Sequence, residues 1–119
     1  MPRSVLVVDD DASFRRLAAR TLTSWGFVVV GEAGTVAEAV AGSDKLRPDA
    51  VLVDIGLPDG DGFVLARLLA ALPWGPRVVL VSSDSDAANE AVARRTGAVG
   101  FVPKEDLPGL LLRRMLGGD

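Results

Sequence analysis

Five side chains of this chain have the types and spacing to do chemistry together. Asp9 and Asp10 follow the apolar run Val5-Leu6-Val7-Val8. Asp54 follows Val51-Leu52-Val53, Ser82 follows Val78-Val79-Leu80-Val81, and Lys104 follows Phe101-Val102-Pro103. Each run has the length and the β-branched content of a buried strand, so each polar residue is read as standing at a strand end. In a parallel sheet the strands all finish on one edge, and ligands of open α/β sheets bind beyond it. Three carboxylates, a hydroxyl and an ammonium are therefore expected in one crevice. Taken alone, Asp54 is explained equally well as the solvated end of a strand. The other strand ends tip the balance.

Such a crowd of charge needs a reason. Two carboxylates about 5 Å apart repel by roughly 3 kcal/mol at an effective dielectric of ~20. Three such pairs approach the ~5–15 kcal/mol stability of a whole domain. Lys104 offsets part of this, and a divalent cation would offset more. Hard oxygen ligands suit Mg2+, or Mn2+, over zinc. A cation, a lysine and a hydroxyl around one carboxylate form a constellation for phosphoryl transfer, in which positioning and charge neutralisation do most of the work. A carboxylate can itself take the phosphoryl group as an acyl phosphate.

The elements that must position these groups are legible along the chain. Strands are read at Ser4–Val8, Phe27–Val30, Ala50–Val53, Val78–Val81 and Val99–Val102. Between them lie helical patterns. One is capped by Asp11 or Ser13, carries Phe14, Leu17, Ala18, Thr21 and Leu22, and stops at Trp25-Gly26. One opens on the capping-box pattern Thr35-x-x-Glu38, with Val36, Ala39, Val40 and Leu46 as its apolar positions. One is capped by Asp61 and holds Phe63, Leu65, Ala66, Leu68 and Leu69. An Ala-rich helix runs from Asp86 to Gly97. A last helix is capped by Asp106, with Pro108 in its first turn. Five strands alternating with five helices predict an α/β fold with a parallel sheet covered on both faces, joined by right-handed crossovers. No linker interrupts the 119 residues, so residues 1–119 are read as a single domain.

Composition removes several classes of chemistry. There is no cysteine and no histidine, which excludes disulfides, thiolate or imidazole metal sites and Ser-His-Asp catalysis. A formal net charge of −3 argues against a general grip on nucleic acid. No apolar run reaches the roughly 20 residues of a membrane span. The start, MPRSVLVVDDD, is cut by acids too early for a signal peptide. A cytoplasmic location is expected.

From end to end the chain resembles a response-regulator receiver domain. The resemblance is carried by VLVVDDD, VLVDIGLPDGDG, Ser82 at the end of the fourth strand, and GFVPK with Phe101 and Lys104. It implies a flavodoxin-like (βα)5 doubly wound fold with strand order 2-1-3-4-5. It also implies that Asp54 is the phosphoacceptor and that Mg2+ is held by Asp9, Asp10, Asp54 and the backbone carbonyl of Gly56. Ser82 and Lys104 would contact the phosphoryl oxygens, and Ser82 and Phe101 would be the switch pair. The implied phosphodonor is a sensor histidine kinase or a histidine phosphotransfer protein, and the implied output is a change in the face made by the fourth helix, fifth strand and fifth helix. A phosphorylated Asp54 would gain charge and strong acceptor oxygens, to which Ser82 can donate. Movement of Ser82 would open space behind the fourth strand for Phe101, a local charge event biasing a two-state element. FVVVGEAGTVAEAV and GFVPKEDL resemble receivers of LuxR-type transcriptional regulators. The chain stops at Asp119, as a stand-alone receiver or a fragment of a longer regulator would.

The sequence departs from the family pattern after the lysine, where Glu105 stands in place of the usual proline and Pro103 precedes. A cis bond to a non-proline costs roughly 3–4 kcal/mol, so a trans bond is expected there. Asp84 is read mainly as a solvated loop acid, with an influence on water access as the other reading. Leu107, Leu111 and Met115 are expected to face the sheet, leaving Leu112 and Leu116 as an apolar strip that could support a homodimer. Arg113-Arg114 is read as complementing a helix dipole. Gly60 and Gly62 are read as turn residues without nucleotide-loop spacing, and Trp25 and Trp74 as packing residues at helix ends. Two other readings compete. One is a pseudo-receiver, a binding module that is not regulated by phosphate. The other is a haloacid-dehalogenase-type phosphohydrolase with Asp9 as nucleophile, Asp11 as general acid, and Ser82 and Lys104 in support. That second reading leaves Asp54 without a role and lacks the later acid pair.

Overall fold

The structure, a computed structural model, describes residues 3–83, 87–107 and 109–117, and of residues 87–90 and 110 the backbone alone. Asp84, Asp86 and Pro108 lie outside the described residues. Counting only the strands of the main sheet, the elements run β1 (Ser4–Val8), α1 (Ala12–Ser24), β2 (Val28–Ala33), α2 (Val36–Leu46) and β3 (Ala50–Asp54). They continue α3 (Gly62–Ala70), β4 (Arg77–Ser82), α4 (Ala87–Arg95), β5 (Gly100–Pro103) and α5 (Leu110–Met115). The order across the sheet is 2-1-3-4-5, and all four neighbouring pairs are parallel. This is the flavodoxin-like architecture that the family resemblance implies.

The central strands β1 and β3 are apolar up to their carboxyl ends because helices cover both faces. Successive side chains point to opposite sides of a strand. Val5 and Val7 accordingly join one core with Phe14, Ala18 and Leu22 of α1, Leu112 of α5 and Leu116 just after it. Leu6 and Val8 join the other, with Ala39 of α2, Leu65, Ala66 and Leu69 of α3 and Ala93 of α4. Every residue of β3 is buried. Each Val or Leu so buried contributes about 1.5–3 kcal/mol, which places β3, and with it Asp54, in the most constrained part of the fold.

The helix starts follow the sequence closely. Asp11 caps α1 by accepting from Ser13 N–H, and Asp61 caps α3 by accepting from Phe63 N–H. Thr35 Oγ1 accepts from Glu38 N–H at 3.0 Å. The return bond of the capping box is displaced by one residue, since Glu38 Oε1 accepts from Gly34 N–H at 2.7 Å. Trp25 closes α1, with Gly26 at φ +92° beyond it. Arg113 and Arg114 lie in the last turn of α5, where they complement its dipole.

The last helix corrects the sequence reading. Lys104–Asp106 form a separate 3₁₀ turn, and α5 begins only after Gly109, so Asp106 does not cap it. The shift changes the helical phase. Leu112 and Leu116, one turn apart, are fully buried, whereas Leu111 is 60% exposed. Leu107 is buried as well, but from the segment before the helix. In the same way Leu17, Val40 and Leu68 face outward, and the buried positions of α2 are Ala39 and Ser43. β2 runs on to Ala33 because an edge strand tolerates Gly31 and the charged Glu32 on its open side. Residues 56–57 and 60–61 pair as a small antiparallel hairpin where the sequence shows only a turn-rich loop. Among the described residues, no helix is long and apolar enough to cross a membrane.

Candidate functional site

The carboxyl edge of the sheet gathers the expected groups. One carboxylate oxygen from each of Asp9, Asp10 and Asp54 lies within 4.8 Å of the others. Lys104 Nζ stands 2.7 Å from Asp9 Oδ2 and 3.5 Å from Asp54 Oδ1. The β3–β4 register pairs Asp54 with Val81, so Ser82, which is buried, stands one residue further along the neighbouring strand. Phe101 follows on β5, buried in the core on the α3–α4 side and already turned inward. The Lys-Glu dipeptide does not hold the lysine away, because the 3₁₀ turn that starts at Lys104 keeps its ammonium over the acids.

Local backbone explains each placement. Asp9 is fully buried, its N–H donates to Ala33 O at 2.9 Å, and its Oδ1 accepts from Asp11 N–H at 2.9 Å. Asp9 Oδ2 accepts no well-angled hydrogen bond among the described residues and faces the Lys104 ammonium at 2.7 Å. Asp10 is exposed at the rim. Asp54 ends β3, and the Gly56 amide lies close enough to its carboxylate to favour the ionised form. Gly62 closes the loop that follows: a Cβ there would lie 2.5 Å from Asp54 O and from Ile55 Cα. Its role is this close approach, and it is the first residue of α3 rather than a turn residue.

The charges shift one another as the geometry requires. Burial, followed by the Asp9 charge, pushes the Asp54 carboxyl above its ordinary value, and Lys104 and the Gly56 N–H only partly oppose this. Burial would lower the Lys104 ammonium, but Asp9 and Asp54 together outweigh burial and hold it above its ordinary value. Two buried carboxylates and a third at the rim, brought within 4.8 Å of one another, fit a hard divalent cation. Asp9, Asp10 and Asp54 are the residues that could hold one.

Three participants escaped the sequence reading. The ring of Phe14 lies under Lys104 Nζ at 4.5 Å, so the ammonium is held by an aromatic face as well as by acids. Arg15 Nη1 donates to Asp9 O at 2.6 Å while its Nε pairs with Glu32 at 3.0 Å. This fixes the end of β1 and directs Glu32 to Arg15 at the periphery. Asp59 accepts from two α2 amides. Phe14 fits a helical core stripe, and Arg15 and Asp59 have the look of ordinary surface charges. Nothing in their local pattern separates them from such roles.

Comparisons with known proteins agree with this geometry. Residues 5–115 match the family model described as the response regulator receiver domain. The DNA-binding transcriptional activator DevR/DosR of Mycobacterium tuberculosis is 42% identical over 113 residues, spanning 92% of this chain and 51% of that protein. A protein-glutamate methylesterase/protein-glutamine glutaminase of Archaeoglobus fulgidus is 40% identical over 103 residues, spanning 86% of this chain and 30% of the relative. The chain thus spans about half or less of these curated relatives' length. The signal receiver domain of the response regulator NarL from M. tuberculosis superposes with a TM-score of 0.85 at 30% identity, covering 98% of both chains. On the strength of the matched residues and this shared architecture, the chain belongs to the response regulator receiver domain family.

Proposed function

We propose that the chain accepts a phosphoryl group on Asp54 from a phosphohistidine of a sensor histidine kinase or phosphotransfer protein, and that this resets its α4-β5-α5 face. The observation that carries the reading is the convergence of Asp9, Asp10 and Asp54 within 4.8 Å, with Lys104 Nζ at 3.5 Å from Asp54. A carboxylate oxygen of Asp54 attacks phosphorus, the N–P bond breaks, and the imidazole leaves with the bonding pair. Lys104 is placed to follow the charge from Asp54 to the phosphoryl oxygens, and Ser82 to donate to one of them. Mg2+, held by Asp9, Asp10, Asp54 and the Gly56 carbonyl, would supply charge neutralisation of the transferring group. Phe101, already inward, is the element on β5 that a shift of Ser82 would lock in place. The reading leaves the chain without an enzymatic turnover of its own beyond gain and loss of that phosphoryl group.

The test is intact-mass and peptide-level mass spectrometry after incubation with acetyl phosphate and Mg2+. A single phosphoryl adduct on Asp54, absent from Asp54→Asn, is the expected result. An adduct on Asp9 supports the phosphohydrolase reading, and no adduct at any Mg2+ concentration supports the pseudo-receiver. The strip Leu112 and Leu116 that suggested a homodimer is buried and Leu111 is exposed instead, so a homodimer through this helix would have to use Leu111. Sedimentation velocity with and without beryllofluoride, comparing wild type with Leu111→Asp, checks it.

A further inference from the structure

The loop from Ile55 to Gly62 is fastened to two helix starts. Asp61 caps α3, the helix that follows it, through Phe63 N–H at 2.7 Å. Asp59 reaches instead to a helix more than twenty residues earlier in the chain. Its Oδ1 accepts from Val36 N–H at 2.7 Å and its Oδ2 from Ala37 N–H at 3.1 Å. Helix starts leave about four amides without internal partners. In α2 the work is divided: Thr35 takes the Glu38 amide, and Asp59 takes the two amides before it. These bonds, Val36 first, hold the Asp59 carboxyl below its ordinary range. The contact is close, since a Cβ on Gly60 would lie 3.1 Å from Val36 Cγ2.

Between the two fastenings the loop carries Gly56. Gly56 lies against the Asp54 carboxylate, where a Cβ on it would stand 3.8 Å from Asp54 Oδ2, and it pairs with Asp61 across the hairpin. That hairpin is only two residues long on each side, too short to hold its own position in water. We propose that Asp59 is a positioning residue for the Asp54 pocket: by tying the loop to the first amides of α2 it fixes Gly56 against Asp54, so that divalent-cation affinity depends on bonds made outside the pocket. This inference rests on the proposed reading of the pocket as a Mg2+ and phosphoryl site. It gives α2 a mechanical connection to that pocket.

The experiment compares wild type, Asp59→Ala and Thr35→Ala by Mg2+ titration calorimetry and by amide hydrogen exchange of the metal-free protein. Both substitutions strip a cap from the same helix start, so loss of α2 stability is common to them. Supporting contacts around ligands typically change metal affinity 10–100-fold, so Asp59→Ala is expected to weaken Mg2+ binding about tenfold, with Thr35→Ala within about twofold of wild type. The Gly56 amide should exchange faster in Asp59→Ala alone. Asp59→Asn, which keeps one acceptor oxygen, should fall between wild type and Asp59→Ala. Unchanged Mg2+ affinity in Asp59→Ala, or an equal loss in Thr35→Ala, overturns the proposal. Absence of Mg2+ binding to the wild type overturns the reading of the pocket itself, and is distinguished from those outcomes by appearing before any substitution is made.

Discussion

Asp54 is held in a state that costs the folded protein something. Its carboxyl is pushed up chiefly by burial and then by Asp9, so the ionised form is worse off in the folded chain than in the unfolded one. Ionised Asp54 therefore destabilises the metal-free fold at neutral pH, and protonation relieves this as the pH falls through the raised pKa. Asp54→Asn should accordingly raise the thermal midpoint at pH 7 without divalent cation, and the gain should shrink toward acid. Midpoints across a pH series check both sign and trend. Lys104 works in the opposite sense. Its stabilising contribution is fully present below its ordinary value of 10.5 and is lost as the pH rises through the higher folded value. Lys104→Ala leaves Asp9 Oδ2 buried without its counter-charge. Breaking a buried pair costs up to about 3–5 kcal/mol. With its side chain 19% exposed, Lys104 is partly screened, which brings the expected loss to about 1–3 kcal/mol in urea denaturation at low divalent cation.

The loop from Asp54 to α3 shows which rule wins where two compete. Alanine is favoured over glycine inside a helix by about 1 kcal/mol, and Gly62 is the first residue of α3. A Cβ there would meet Asp54 O and Ile55 Cα at 2.5 Å, both backbone atoms without a rotamer to give way. Overpacking of this kind typically costs about 1–3 kcal/mol, so Gly62→Ala should destabilise the protein on balance and displace the Asp54 carbonyl. A lowered urea midpoint together with weaker Mg2+ binding is the expected pair of results. Asp59 has a pH signature of its own. Its folded pKa is depressed below 3.8, so its contribution is present above that value and lost as the pH falls through the lower one. The stability difference between wild type and Asp59→Ala should then hold steady at neutral pH and close in strong acid. The sequence made the strands and most helix starts readable, because an apolar run ending in Asp54 or Ser82 and a cap such as Asp11 or Asp61 are local patterns. It did not reveal that Asp59 serves α2, that Phe14 lies under Lys104 or that Arg15 holds the Asp9 carbonyl, since these contacts join separate elements. In α5 the structure differs from the sequence pattern in phase: a 3₁₀ turn at Lys104–Asp106 delays the helix, and that delay exchanges Leu111 for Leu112 at the sheet.

The pocket sits on the seam between two cores. Val7 of β1 packs on the α1–α5 side, Val8 on the α2–α3–α4 side, and Asp9 follows at the edge that both share. Lys104 leaves β5 at that same edge, so ligation there ties β1, β3 and β5 together without passing through either core. Three carboxylates against one ammonium leave the edge with an excess of negative charge that the metal-free fold must tolerate. A ligand that binds only the folded chain stabilises it by about 2.7 kcal/mol at a concentration a hundred times its Kd. For a domain of this length each kcal/mol moves the midpoint by about 3–5 °C, so saturating Mg2+ should raise it by roughly 10 °C. The increment should be abolished in Asp9→Asn, whose buried amide offers the cation one uncharged oxygen and turns an NH2 into the place of the other. It should be larger in Lys104→Ala, where the metal becomes the main counter-charge of Asp9. A thermal-shift titration of the three proteins with MgCl2, at constant ionic strength to remove general screening, measures all three increments. Equal increments in wild type and Asp9→Asn would place the cation elsewhere on the acidic surface and separate the stability of this fold from its pocket.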